Sequence, residues 1–190
     1  KSWELKTENK LSLERYASAG GIQFVYSLKS GISVEELNRE GLYPNRILER
    51  AITGEYTAIE TLKDVSHTLA KLYHERIETL FAGWQSPFSF VNPNRAPLEP
   101  SHPYLGKVFD ILIIGQRLGA LMEKSKESIY LWRPFLSHLE MLISSNVKLD
   151  SQTKNHYLEN GLEKMVHISQ LRDAPALGAG VDAVLHYKQS

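Results

Sequence analysis

The chain has 190 residues, with 22 Lys and Arg against 22 Asp and Glu, no cysteine and 42% apolar residues. That length suits one domain, or one with an appendage, and the composition is that of a folded globular chain rather than a disordered or fibrous one. Without cysteine, disulfides, thiolate nucleophiles, iron–sulfur clusters and Cys-type zinc sites are excluded, and zero formal charge leaves any contact with nucleic acid to a local basic patch.

The first stretch alternates. Trp3, Leu5, Thr7, Leu11 and Leu13 fall on odd positions, and Glu4, Lys6, Glu8, Lys10, Ser12 and Glu14 on even ones, the period of a strand with one buried face. Nothing later repeats the pattern, and a lone strand leaves its backbone groups without partners. The expectation is therefore a homodimer whose two N-terminal strands pair. The alternative is an extended arm packed on its own domain.

After Gly20–Gly21 the segment Ile22–Lys29 reads as a short helix. Ser33 and Glu36 form a capping-box pattern for a helix that Gly41 stops. Pro44 opens the next helix, Asn45–Thr53, which ends at Gly54. Glu55 to Ala82 keeps helical periodicity for about 27 residues, on the order of 40 Å, with an apolar stripe of Ile59, Leu62, Val65, Leu69, Leu72, Tyr73, Ile77 and Leu80.

Residues 84–103 hold five of the eight prolines and read as an ordered loop or linker. Tyr104–Lys124 is apolar nearly all round and reads as the central helix of a bundle, with Gly115 and Gly119 as a close-packing device. Lys126–Ile143 reads as a helix kinked at Pro134, and Asp150 as the cap of a last helix reaching about Leu171. The fold class is mainly α: a helical bundle with one N-terminal strand, in which a ribbon-helix-helix-like dimer ribbon can be built. The expected organisation is 1–83 as the DNA-binding and dimerisation part, 84–103 as connecting loop, 104–173 as helical bundle part and 174–190 as a weakly ordered tail.

The histidines lack the i, i+4 pair or Glu-x-x-His spacing that builds metal sites on helices. Phosphate-binding loops and a Gly-x-Ser-x-Gly elbow are absent. The expectation is no enzyme, no metal and no small-molecule cofactor. No window is apolar enough to span a bilayer, so no membrane partner is expected, and cytoplasmic is the expected location.

Three features can meet double-stranded DNA. Lys6 and Lys10 lie on the polar face of the strand, which as a two-stranded ribbon fits the major groove. The same face is equally that of an ordinary solvated strand. Val34–Gly54 is in outline a helix-turn-helix, with Asn45, Arg46, Glu49 and Arg50 on the exposed side of its second helix. Leu37 occupies the position where such motifs usually carry a small residue, and any two consecutive helices make a similar outline. Lys63, His67, Lys71 and His74 form a cationic stripe on the long helix that can grip phosphates or form a solvated face with nearby acids. The candidate DNA-binding residues are Lys6, Lys10, Arg15, Arg46, Arg50, Lys63 and Lys71.

The segments Phe88-Ser-Phe-Val-Asn-Pro, Tyr104-Leu-Gly, Phe109-Asp-Ile-Leu and Arg117-Leu-Gly-Ala-Leu resemble a family of helical proteins, transcriptional activators among them, encoded on integrating conjugative elements and conjugative plasmids. The openings around Leu5–Arg15 and Gly21–Phe24 fit the same family, while residues 30–80 match it poorly. The resemblance covers about half the chain and implies a dimeric regulator, an activator of conjugative transfer genes acting at promoter or operator DNA. It assigns no DNA-contacting positions. The other expectation is a non-enzymatic scaffold or adaptor of a conjugation apparatus.

Overall fold

The computed structural model describes residues 13–85, 98–159, 161–169 and 171. Local stop and start signals shape its first half. Helices α1 (Leu13–Tyr16) and α2 (Ala19–Ser30) meet at an elbow where the Ser18 hydroxyl accepts the Gly21 N–H at 2.9 Å. A Cβ on Gly21 would run into the Tyr16 carbonyl, so glycine alone lets the elbow close this far. The Ser33 hydroxyl caps α3 (Val34–Arg39) through the Glu36 N–H, and Pro44 is the first residue of α4 (Pro44–Ile52), where a missing N–H breaks no helical bond.

Helix α5 (Tyr56–Ala82) runs 27 residues, free of Gly and Pro, between Gly54 and Gly83. It packs against α1, α2, α4 and α7 (Trp132–Ser145). Small buried residues, Ala58, Thr61, Ser66 and Ala70, let its neighbours come close on several sides. The polar ones among them are satisfied inside the helix: Thr61 Oγ1 donates to the Thr57 carbonyl and Ser66 Oγ to the Leu62 carbonyl, each at 2.7 Å.

The second half adds β1 (Leu112–Ile114), α6 (Gln116–Ser125), α7, α8 (Ser151–Leu158), α9 (Leu162–Met165) and β2 (Val166–Ile168). The strands pair in parallel, Leu112 with Val166 and Ile114 with Ile168, and the helices between them form the crossover that parallel pairing requires. Residues of both halves, among them Ile22, Ile47, Leu62, Met122, Phe135, Leu139 and Tyr157, belong to one continuous apolar core.

The protein is mainly helical, with a small two-stranded parallel sheet. Several finer expectations change. The alternating segment and its dimer ribbon fall almost wholly on residues 1–12, outside the described residues. Where the alternation reaches Leu13, the chain is helical, and both described strands lie in the second half.

Tyr104–Lys124 is not one helix. Residues 104–111 form turns and coil, the β-branched Ile113 and Ile114 extend into β1, and Gly115 caps α6. The chain reverses at Leu131 (φ 62°), and α7 starts only at Trp132. Pro134 therefore falls in its first turn, where no hydrogen bond is lost, and makes no kink. The helix capped by Asp150 stops at Leu158, and the chain then forms α9 and β2.

Gly119 does act as a close-packing residue, but against a strand end rather than a helix. A Cβ there would lie 2.9 Å from the Ile114 carbonyl oxygen and 3.4 Å from Ile168 Cγ2. Gly119→Ala is expected to cost about 1–3 kcal/mol by forcing α6 away from the sheet. Urea denaturation checks this, and an unchanged midpoint would mean that α6 does not sit this close to β1.

Candidate nucleic-acid interface

The helix pair α3–α4 is held from beneath by α2. Gln23, only 8% exposed, sends its Nε2 hydrogens to Asn38 Oδ1 and to the Leu42 carbonyl, both at 2.9 Å. It thereby fixes the end of α3 and the turn together. Ile47, Leu48 and Ala51 bury one face of α4, which leaves Asn45, Arg46 and Arg50 exposed and Glu49 half-buried on the other. The exposed face expected from the sequence is therefore present.

The second half of α4 is tied to α2 and to the entry of α5. Tyr26 Oη donates to Glu55 Oε1 at 2.6 Å and accepts from Arg50 Nη1 at 3.1 Å, and the same guanidinium nitrogen lies 3.3 Å from Glu55 Oε2. Burial, then the Glu55 hydrogen bond, push the Tyr26 phenol above its ordinary pKa. Arg50 is thus engaged within the fold, whereas Arg46 makes only an exposed i, i+3 contact with Glu49 at 3.1 Å, which holds it weakly.

Helix α6 lies beside α4. Lys124 Nζ reaches Glu49 Oε1 at 2.7 Å, a contact that holds the Glu49 carboxyl below its ordinary pKa. Between the start of α2, the start of α4 and the outer side of α6 lies an open groove of about 1310 Å³. Ser18, Asn45, Arg117 and Lys124 are on its walls and Gln23 lines it. Arg117 is exposed there.

The candidate cations separate into groups. Arg46 belongs to α4 beside the groove. Arg15 is exposed on α1 with its guanidinium 4.8 Å from the centre of the Phe24 ring. Lys63 and Lys71 lie elsewhere, along the edge of α5 that meets α7, with Lys63 3.7 Å from Glu60. Their stripe is not simply the solvated face of α5: His67 stacks on His138 of α7, and His74 Nε2 lies 2.8 Å from Asn146 Nδ2. Lys6 and Lys10 fall outside the described residues.

Arg117 and Lys124 are the cations that sequence reasoning missed. Both lie in Tyr104–Lys124, which reads from the sequence as a bundle-centre helix; Gly115 and the β-branched run before it are the signal that a helix starts there. Among the described residues, no group of three or more His, Asp or Glu side chains is arranged to hold a metal ion, and no helix is long and apolar enough to cross a membrane. Neither a family model, a curated protein nor a solved structure matches the chain.

Gln23→Leu tests whether the turn beneath α4 is fixed as described. It strips a donor from the Leu42 carbonyl and the Asn38 side chain, and a loss of about 1–3 kcal/mol is expected in chemical denaturation. Full retention of stability would show that the turn holds itself without α2.

Proposed function

We propose that the protein is a sequence-specific DNA-binding regulator of conjugative transfer genes, acting as an activator on promoter or operator DNA. The observation that carries the reading is the position of Arg117 and Lys124 on α6 beside the exposed face of α4. Asn45 and Arg46, near the start of α4, are placed as a recognition helix places its base-reading side chains. The α6 cations are placed to hold phosphates on the flank. The resemblance to proteins of integrating conjugative elements and conjugative plasmids supplies the genetic context. In this reading two copies associate through the alternating segment before Leu13, and Lys6 and Lys10 add to the footprint.

With few cations beside the groove and no net charge on the chain, non-specific affinity is expected to be weak and base contacts to matter correspondingly more. Fluorescence anisotropy on a duplex selected from a random pool, compared with scrambled duplexes, tests the reading. Arg117→Ala should weaken binding on all duplexes alike and lower the salt slope by about one. Arg46→Ala should instead relax sequence preference, at about 1–3 kcal/mol on the selected duplex. Lys71→Ala in the same assay separates a footprint confined to the groove from one that extends to α7. If no duplex is retained even at low salt, the reading fails.

A second reading is favoured by one surface. Ile111 and Ile113, before and on the outer face of β1, are 51% and 62% exposed, apolar area of the kind that meets a protein partner. It fits a non-enzymatic scaffold or adaptor of a conjugation apparatus. Binding of transfer proteins that Ile113→Lys abolishes, with no DNA affinity, would select it.

A further inference from the structure

The seam between α5 and α7 contains two imidazoles face to face. The rings of His67 and His138 lie 4.2 Å apart between centres and 17° from parallel. His138 Nε2 is buried with no hydrogen-bond partner. A third histidine, His74, follows two turns along α5, its Nε2 2.8 Å from Asn146 Nδ2, which also donates to Glu78 Oε2 at 2.6 Å.

The charges around the stacked pair come from several elements. Helix α5 supplies Lys63 and Lys71, whose positive charges oppose protonation, and Glu60 and Asp64, which favour it. Both acids have cationic partners: Glu60 lies 3.7 Å from Lys63, and Asp64 is bound at 2.8 Å by Lys29 of α2. Glu78 serves His74. On α7 itself Arg133 and Glu140 are exposed.

The charged groups that reach α7 from other elements meet it near its ends. Lys126, just after α6, lies over the Trp132 ring at 5.2 Å, and Glu163 of α9 meets the Trp132 indole N–H at 3.4 Å. Lys154 of α8 donates to the Ser144 carbonyl at 3.0 Å. Trp132 and Ser144 are each six residues from His138, roughly 9 Å along the helix.

We propose that the stacked His67–His138 pair is an acid-sensitive latch: neutral, it lets α7 close on α5, and protonated, it drives the two helices apart. Two imidazolium rings at this spacing would repel each other and the two lysines, while the nearby carboxylates are held by other cations. Burial is the main cause that keeps both rings below the ordinary imidazole pKa of 6.5, with Lys63 adding for His67 and the His67 ring adding for His138.

The sign follows from proton linkage. A histidine whose pKa is depressed on folding binds more protons when unfolded, so stability is full at neutral pH. It is lost as the pH falls below 6.5, through the depressed values. Each extra proton taken up on unfolding changes the folding equilibrium by up to about tenfold per pH unit.

The test is the urea midpoint of the full chain between pH 7.5 and 5, for the wild type and for His138→Phe, which keeps an aromatic ring on His67 without a charge. The wild type should lose about tenfold or more in its folding equilibrium over that range beyond any loss in the variant. An equal loss in both would overturn the latch. NMR titration of the wild-type imidazole C–H signals gives an answer that does not depend on a variant folding. His67 and His138 should both titrate below the ordinary imidazole value of 6.5. Titration of either at or above that ordinary value also overturns it.

Discussion

The molecule depends on burying α5 on more than one side. A 27-residue helix that meets α1, α2, α4 and α7 cannot be an ordinary surface helix with a single apolar stripe. Its buried set mixes large residues, Leu62, Val65, Leu69 and Ile77, with small ones, Ala58, Thr61, Ser66 and Ala70. The small ones matter as much as the large, because they set how near the flanking helices can lie. The hydroxyls of Thr61 and Ser66 turn back onto the α5 backbone, so close packing at these two positions leaves neither unpaired.

From that spine the rest of the geometry follows. Helix α4 lies on one side, anchored by the Tyr26–Arg50–Glu55 cluster where α5 begins. Helix α7 closes another side through Phe135, Leu139 and Ile143. The turn that joins α7 to α6, and the Lys124–Glu49 contact between α6 and α4, bring α6 alongside the exposed face of α4. Tyr73 of α5 also secures the sheet, its hydroxyl donating to the Ile113 carbonyl at 2.8 Å, with burial pushing that phenol up to about 12. The groove proposed to meet DNA is thus a product of how two chain halves are held on one helix.

What could be read from the sequence was local. Ser33, Pro44, Gly54 and Asp150 act over three or four residues, and each marks the helix boundary expected of it. Ile111–Ile114 is ambiguous because a short run apolar on every side fits a buried helix as well as a strand. A three-residue strand has too little length to show a period, and its partner lies more than 50 positions away. The groove was illegible for the same reason: Lys124 and Glu49 are 75 residues apart, and nothing around either one announces the other. The His67–His138 stack joins residues of two helices that spacing along either helix alone cannot relate.

The proposed footprint runs along α4 and the length of α6, from Arg117 to Lys124. Hydrogen–deuterium exchange of the protein, alone and saturated with a selected duplex, addresses it most directly. Slower exchange in residues 43–50 and 115–124 is the predicted result, with residues 111–113 unaffected. Protection on the outer face of β1 instead, or no protection anywhere, would contradict it.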